Sequence, residues 1–379
     1  MHVTIFTTGR FHLLDLAREL HLQGIRVTFR SAVPVSRAET FGLPATCCSP
    51  MPWLMPLQWT MMRSKSTRFK LLNMGVTRRM LDRFGTVGLT RSDIFIGISG
   101  VSGFTGLGMK KKYGAKIWIE RGSRHILSQK HILDTISDGR VSEVSAEDVR
   151  RELADYGIAD RVVIPARHVE QSFIAESFSV DRLFRNPYGV DLKMFPATPP
   201  PSLDSPATLV MAGKWGKRKG CDILVQAWRG MENTRLVHVG QQGDLPFPED
   251  GNFEHVAHVN QSELTKVYRR AHVGVLASRE EGLAIVQAQM LATGLHLVCS
   301  DRTGGRDLGE NAGIMDRIAE VQSGDIDSLR RELTLTLKKS KGEDAATRMS
   351  VRNKMERNSW IAYGARYAAE LAKSFNGEH

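Results

Sequence analysis

The sequence predicts an α/β protein with two domains, each built around a parallel β-sheet. Short apolar runs alternate with amphipathic segments along most of the chain, which is the pattern of successive strand–helix–strand units. The alternation stops between residues 186 and 206, where prolines and turn residues are frequent, and then restarts. The length of 379 residues accommodates two domains of ordinary size. The predicted organisation is a first domain at 1–186, a hinge at 187–206, a second domain at 207–344 and a C-terminal helix at 345–379.

The first domain begins with a strand–helix–strand unit. Residues 3–7 predict a strand, Gly9 lies in the turn after it, and an amphipathic helix follows and ends at Gly24. Residues 25–29 return as a strand, so the two strands are parallel with a right-handed crossover. Further strands are predicted at 94–98, 117–120 and 162–164, and helices at 101–112, 124–136, 145–155 and 167–176.

The second domain repeats this alternation. Its predicted strands are 208–212, 236–239, 272–276 and 295–299, and its predicted helices are 220–229, 261–270, 282–293, 317–338 and a last helix at 345–374. Open parallel sheets bind ligands at the carboxyl ends of their strands. With two such sheets, we expect the ligand site in the cleft between the domains.

Composition favours anionic partners without choosing among them. The chain carries 52 Lys and Arg against 41 Asp and Glu, a formal net charge of +11. We expect no membrane-spanning helix and no signal peptide, because no apolar stretch reaches eighteen residues and the start of the chain lacks a basic region. The four cysteines have neither disulfide-framework nor zinc spacing, so we expect a reducing cytoplasm.

One segment leaves two interpretations open. Residues 50–62 are rich in Pro, Trp and Met, and a basic run follows at 63–83. The segment is able to rest on an anionic membrane surface. Equally, its apolar side chains can pack in the core while the arginines are solvated.

The most informative stretch is SREEGLAIVQAQ at residues 278–289, between a predicted buried strand and a helix. A loop that opens a helix in this way presents free backbone N–H groups and the positive end of the helix dipole, which suit a phosphate. Glu281 beside that place can accept hydrogen bonds from sugar hydroxyls. The alternative is that Glu280 and Glu281 only complement the helix dipole.

Three further turns follow predicted strands and so face the same cleft. The turn GKWGKRKG at 213–220 brings Lys214 and Lys219 within reach of a diphosphate. Gly9 follows the first strand, and SDRTGG at 300–305 follows the last predicted one. For each turn the alternative is an ordinary strand–helix turn. The dinucleotide fingerprint GxGxxG is absent.

Taken together, these segments resemble the retaining GT-B glycosyltransferases of family 4. The stretch NPYGVDLKMFP at 186–196 resembles that family's N-G-V-D-x-x-x-F-x-P, and the turn at 213–220 resembles its G-R-x(4)-K-G with lysine for arginine. Residues 278–294 resemble P-S-x-x-E-G-F-G-x(4)-E-A-M-A-x-G, and 300–305 resemble S-D-x-G-G. The resemblance implies an α/β, GT-B fold: two Rossmann-like domains with parallel sheets facing a central cleft, and a C-terminal helix that packs back toward the first domain.

The resemblance also implies roles for particular residues. Lys214 and Lys219 would hold the donor diphosphate, with Gly213 between them and the strand. Glu281 would contact the donor sugar. The backbone N–H groups of Gly282, Leu283, Ala284 and Ile285 would bind phosphate and sugar. Gln289 replaces the glutamate that usually holds the ribose hydroxyls, and an amide lacks the charge-assisted acceptance of a carboxylate.

The implied function is that of a retaining hexosyltransferase. It would move a sugar from a UDP- or GDP-sugar, as co-substrate, to a hydroxyl of a saccharide or lipid-linked acceptor, with no metal and no other cofactor. His125 or Glu120, after a buried strand of the first domain, would contact the donor sugar or the acceptor; the alternative for His125 is a solvated turn residue. Competing interpretations are a GT-B epimerase and a non-catalytic binding protein; a phosphorylase and a nucleic-acid partner are disfavoured, since the sequence shows neither a pyridoxal lysine context nor an RNA-binding aromatic signature.

Overall fold

Two parallel β-sheets, one in each half of the chain, organise the protein. The computed structural model describes residues 1–51, 76, 79–137, 143–202 and 204–376. The first sheet has the strand order β3-β2-β1-β4-β5-β6-β7 and the second β10-β9-β8-β11-β12-β13, and every pairing within both is parallel. The predicted architecture, two Rossmann-like domains whose sheets are parallel, is confirmed.

The strands of the first sheet are β1 (His2–Thr7), β2 (Arg26–Ser31), β3 (Cys48–Pro50), β4 (Ile94–Ile98), β5 (Lys116–Glu120), β6 (Arg161–Ile164) and β7 (Leu183–Arg185). The helices around it include α1 (Phe11–Leu22), α2 (Val35–Thr40), α3 (Gly103–Tyr113), α4 (Ile126–Ser137), α5 (Ala146–Ile158) and α6 (Arg167–Ala175). All six residues of β1 are buried, as expected for a central strand covered on both faces. A capping box between Ser145 and Asp148 begins α5.

The strands of the second sheet are β8 (Ala207–Ala212), β9 (Thr234–Val239), β10 (Phe253–Val256), β11 (Val273–Leu276), β12 (His296–Ser300) and β13 (Ile318–Val321). Its helices are α7 (Cys221–Trp228), α8 (Gln261–Arg269), α9 (Ile285–Ala292), α10 (Gly305–Ala312) and α11 (Ile326–Lys341), followed by the C-terminal α12 (Ala345–Lys354) and α13 (Trp360–Asn376). The strand β8 is buried along its whole length, like β1. Asn260 and Glu263 form the capping box of α8.

In both sheets the strand order reverses beside the first strand, because the next strands are added on one side of it and the later ones on the other. In the first sheet β1 lies between β2 and β4, and in the second β8 lies between β9 and β11. Such a switch point leaves a crevice at the carboxyl ends of the two central strands, because the following helices go to opposite faces of the sheet. The turns after β1, β8 and β11 are therefore the parts of the chain that the fold places at the ligand crevices.

Two of the predicted helices are wrong. Residues 318–321 form β13 rather than the start of a helix, and α11 begins only at Ile326, where the Asp325 side chain accepts a hydrogen bond from the Ser328 N–H. The single helix predicted at 345–374 is interrupted between α12 and α13, where the Asn358 side chain donates to the buried carbonyl of Leu308. The short edge strands β3, β7 and β10 were not predicted.

The C-terminal helix returns to the first domain. Helix α13 packs against α1, and the Tyr367 hydroxyl donates a 2.8 Å hydrogen bond to Glu120 at the end of β5. Gly364 is the point of closest approach, since a β-carbon there would collide with the side chain of Glu19 on α1. The predicted return of the C-terminal helix to the first domain is confirmed.

Two predictions about membranes have different outcomes. In the described parts of the chain, no helix has both the length and the apolarity needed to cross a bilayer. The segment considered for a membrane surface, residues 50–62 with the basic run behind it, lies almost entirely outside the described residues.

The contact at Gly364 leads to a stability prediction. Gly364→Val should lower the free energy of unfolding by about 2 kcal/mol, because overpacking forces α13 away from α1. Ala365→Val, on the exposed face of the same helix, should change it by less than about 0.5 kcal/mol. Urea unfolding followed by circular dichroism measures both. Equal effects of the two substitutions would show that the α1–α13 contact does not limit stability.

Candidate functional site

The turn between β8 and α7 is fitted tightly against the end of β11. Gly220 has a left-handed backbone (φ 66°), and a β-carbon there would collide with the carbonyl of Ala277. Gly213 (φ 140°) donates to the Val239 carbonyl at 2.9 Å, and its own carbonyl contacts Nε2 of His238 at 2.8 Å. Since a carbonyl only accepts, that nitrogen carries the hydrogen. The turn is thus fixed at Gly213 by hydrogen bonds and at Gly220 by close packing.

Lys219 projects from this turn to the loop after β11. Its ammonium forms an ion pair with the carboxylate of Glu281, and the two side chains are only 15% and 16% exposed. Burial, with a contribution from nearby Arg218, lowers the pKa of Lys219 to about 8. The structure therefore brings together Lys219 and Glu281, two of the three charged residues that the sequence predicts for the donor.

Glu280, the neighbour of Glu281, points the opposite way. Its fully buried side chain accepts hydrogen bonds from Arg218 at 2.7 Å, and from Ser123 and Gln129 of the first domain. Burial alone would raise the pKa of Glu280, but Arg218 and the Ser123 hydroxyl outweigh it and hold the pKa below its usual range. Sequence reasoning treated Glu280 only as a partner of the helix dipole. It is instead a link between the domains.

The start of α9 meets the first domain at Gly282. A β-carbon at this residue would collide with the carbonyl oxygen of Gly122, so only glycine allows the two backbones to approach this closely. Just beside it, Nε2 of His168 on α6 donates to the Glu281 carbonyl at 2.9 Å. Burial lowers the pKa of His168 to about 4, which keeps the ring neutral. The cleft is closed in this structure.

The sequence predicts that the N–H groups of all four residues from Gly282 to Ile285 face the donor, but one of them has a partner within the protein. The helix begins at Ile285, and the N–H of Ala284 is directed to the Thr303 carbonyl at 3.4 Å. Within the described residues, no hydrogen bond outside the helix occupies the N–H groups of Gly282, Leu283 or Ile285. The Leu283 side chain is buried against the loop at Gly304. Three N–H groups thus remain for an anion.

Two cavities open beside this loop. The second-domain cavity, about 350 Å³, lies at the carboxyl ends of β8 and β9 and is lined by Gly213, Lys214 and Val286 among others. The interdomain cavity, about 320 Å³, has the basic turn on one side and Leu133 and Ile136 of α4 on the other. Lys214 lines both cavities, so the two share this side chain.

Gly9 and Gln289 are the remaining residues predicted to bind the donor. Gly9 follows β1, and a β-carbon there would meet only the ring of Phe11, at 3.4 Å, among the described residues. Gln289 on α9 is 6% exposed, and its Oε1 has no hydrogen-bond partner in the described part of the protein. A buried acceptor without a partner is suited to a ligand hydroxyl.

The prediction that His125 faces the cleft is corrected by the structure. Its ring lies in the core of the first domain, 5.1 Å from that of Tyr156 and 4.9 Å from that of Phe173. It is 4% exposed, and burial lowers its pKa to about 4, aided by the charge of Arg121. Helix α4 begins directly after His125, which turns the residue inward. Its neighbours Gly122 and Ser123 reach the cleft instead.

A comparison with protein-family models shows which family the second half of the chain resembles. Residues 206–338 match the family model described as Glycosyl transferases group 1. The second domain is similar to this family. The Glycosyl transferases group 1 match covers β8 to α11, and thus the Lys219 turn and the Glu281 loop. It supports a transferase that acts on sugars. No curated protein matches the whole sequence significantly.

Solved structures with the GT-B fold superpose on the full chain. Sucrose-phosphate synthase from Thermosynechococcus elongatus gives a TM-score of 0.66 at 15% identity and covers 100% of both chains. HepE from Anabaena, in complex with UDP and glucose, gives 0.66 at 12% identity over 98% of this chain and 100% of its own. The lipopolysaccharide outer core galactosyltransferase WaaB gives a TM-score of 0.63 at 14% identity, and the match covers 99% of this chain and 100% of WaaB. At these identities the likeness establishes the GT-B fold.

The contact at Gly282 generates a prediction about the cleft. Gly282→Ala should hold the domains apart, because the added methyl collides with the Gly122 carbonyl, and should lower the free energy of unfolding by about 1–3 kcal/mol. Gly251→Ala is the matched control, since a β-carbon there has nothing within 4 Å. Small-angle X-ray scattering should give a larger radius of gyration for the first variant only. An unchanged radius would mean that the cleft is not closed by this contact in solution.

Proposed function

We propose that the protein transfers a hexosyl group from a UDP- or GDP-sugar to a hydroxyl of a saccharide or lipid-linked acceptor. The observation that carries the proposal is the buried Lys219–Glu281 pair beside three free N–H groups at the start of α9. The second-domain family and the GT-B fold support it. HepE, a structural relative, has been crystallised with UDP-glucose.

The donor is assigned to the second domain. Its nucleoside occupies the second-domain cavity, and its diphosphate lies against Lys214, Lys219 and the N–H groups of Gly282, Leu283 and Ile285. Gln289 offers its unpartnered Oε1 to a ribose hydroxyl. A bound diphosphate competes with Glu281 for Lys219, and the carboxylate released in this way can accept hydrogen bonds from hydroxyls of the donor sugar.

The reaction needs stabilisation of negative charge. The bond between the anomeric carbon and the phosphate oxygen breaks and its electron pair leaves with the diphosphate. The acceptor oxygen bonds to the carbon, and its proton passes to the departing phosphate oxygen. Fixed cations and N–H groups in a water-excluding cleft stabilise the leaving diphosphate more strongly than solvent would. We propose that the sugar is transferred with retention of configuration and that these groups serve in place of a metal.

The cellular setting belongs to the proposal as well. We place the enzyme in the cytoplasm, where polysaccharides or lipid-linked saccharides are assembled, with peripheral attachment to the inner face of the membrane. All four cysteines are free thiols, which suits a reducing compartment. The positive net charge of +11 suits an anionic surface.

The first test is turnover of sugar nucleotides. The protein should release UDP or GDP from at least one of UDP-glucose, UDP-galactose, UDP-N-acetylglucosamine and GDP-mannose, measured by chromatography. Lys214→Ala and Lys219→Ala should lower the rate about 100- to 1000-fold, the usual cost of losing one such donor. Lys338→Ala, the same change at an exposed position of α11 that lines neither cavity, should lower it less than threefold. Binding of these compounds without release of any nucleoside diphosphate would identify a binding protein and contradict the proposal.

The pKa of Lys219 predicts how nucleotide binding depends on pH. Its value of about 8 lies below the ordinary lysine value of 10.5, so the side chain is charged below pH 8 and neutral above it. The affinity for UDP, measured by isothermal titration calorimetry, should therefore fall as the pH rises through 8, approaching tenfold per pH unit. Lys219→Arg should remove this inflection, because a guanidinium keeps its charge. An inflection that persists in Lys219→Arg would assign the effect to another group.

A further inference from the structure

Two segments of the first domain lie side by side and form a basic surface. Residues 82–89 run along helix α3: at one end the Asp82 carboxylate accepts the Phe104 N–H at 2.7 Å, and at the other the Tyr113 hydroxyl donates to the Leu89 carbonyl at 3.1 Å. We use the name α3 surface for six exposed residues of these segments: Arg83, Val87, Phe104, Lys110, Lys111 and Lys112.

Two apolar side chains of the α3 surface are open to solvent. Phe104 is 67% exposed and Val87 is 62% exposed. One helical turn after Phe104, on the same face of α3, Gly108 packs against Thr86, since a β-carbon at Gly108 would lie 2.9 Å from the Thr86 side chain. Val87 directly follows this contact. Neither apolar side chain is enclosed by the core, so both are available to an apolar phase outside the protein.

The charge of the α3 surface is positive. Residues 82–89 and α3 contain a single acidic residue, Asp82, which is buried and ion-paired with Arg151 at 2.8 Å. Of the four cations on the surface, only Lys110 has a carboxylate partner in the described parts of the chain, Asp160 at 2.9 Å. The other three charges are available to an anionic partner.

A lipid bilayer with anionic head groups matches both properties. Its surface attracts Lys and Arg, and aromatic side chains enter the boundary between the head groups and the acyl chains. The adjoining sequence has the same two properties, because Arg83 is the last residue of the basic run at 63–83 and the Trp- and Met-rich residues 50–62 precede that run. The surface and the chain that leads into it therefore favour the same partner.

We propose that the α3 surface docks on an anionic lipid bilayer, with Phe104 and Val87 in the head-group region and the cations on the lipid phosphates. The inference rests on the membrane setting of the function proposed above and identifies the face of the protein that binds. Helix α3 follows β4, whose carboxyl end borders the crevice of the first sheet. Phe104 lies at the start of α3, so docking brings this crevice beside the lipid, where a lipid-linked acceptor is held.

Binding to vesicles tests the surface. The full-length protein, without a donor, should co-sediment with phosphatidylcholine vesicles that contain about 30% phosphatidylglycerol, and not with pure phosphatidylcholine. Lys111→Ala combined with Lys112→Ala should lower the partition coefficient about 20-fold, since each cation near an anionic surface contributes about fivefold. Phe104→Ala should lower it at least about fivefold, because less apolar area enters the interface.

Matched controls make the same changes elsewhere on the exposed surface. Lys338→Ala combined with Lys339→Ala, on α11, and Phe375→Ala, on α13, should each lower the partition coefficient less than about twofold. Circular dichroism spectra of all variants should equal that of the wild-type protein, because every changed side chain is exposed.

Three outcomes would overturn the inference. The first is a wild-type protein that does not bind the anionic vesicles, and the second is an equal loss of binding in the variants and their controls. The third is a loss through the two lysines with none through Phe104, which would exclude apolar contact with lipid and favour an acidic protein as the partner. Vesicle binding without release of any nucleoside diphosphate would contradict the transferase function alone, and turnover without vesicle binding would contradict this inference alone.

Discussion

The buried carboxylate of Glu280 constrains how the two domains meet. A fully buried charge is tolerated only if its hydrogen-bonding capacity is met, and removing its partners typically costs several kcal/mol. Here the partners come from both sides of the cleft, with Arg218 from the second domain and Ser123 and Gln129 from the first. Opening the cleft would strip Glu280 of its first-domain partners and expose it to water. Glu280 therefore keeps its full set of hydrogen bonds only while the cleft is closed.

This constraint also places the residues of the candidate site. Because Glu280 is anchored toward the first domain, the next residue, Glu281, is directed back to Lys219. The same closure removes Lys219 from water, which is the main reason for its lowered pKa. Electrostatic interactions are stronger in such a desolvated place than at an exposed surface. A diphosphate that enters there meets a cation whose present partner is a single carboxylate.

Sequence pattern revealed the parts of the fold that are buried on both sides. Central strands such as β1 and β8 are continuous apolar runs, and these were predicted within a few residues. The short edge strands are partly exposed and lack that signal. The error at β13 arose because Ile318 and Val321 also fit a helical stripe, and only the Gly324–Asp325 stop separates the two interpretations. In a segment of only four residues, hydrophobic periodicity does not distinguish a strand from a helix.

The candidate site was predictable in its chemistry and less so in its geometry. Glycines and lysines in a turn after a strand predict a phosphate site. The direction of a side chain in a loop, however, depends on contacts from segments that are distant in sequence. Glu280 and Glu281 are adjacent and chemically alike, and only the positions of Ser123 and Lys219 distinguish them. His125 was wrongly placed in the cleft for the same reason, because it follows a strand of the first sheet and the sequence does not show that the core encloses its ring.

The two switch points divide the chemistry between the domains. The loops after β8 and β11 collect cations and N–H groups, which suit a leaving diphosphate, whereas the ends of β1 and β5 bring a histidine and a carboxylate together. A parallel sheet offers such convergence because neighbouring strands end at the same edge, although their residues are far apart in sequence. His12 and Glu120 are separated by 108 positions and meet only through the β1-β4-β5 order. Helix α13 then contacts this pair through Tyr367, so the C-terminal segment is tied to the end of β5.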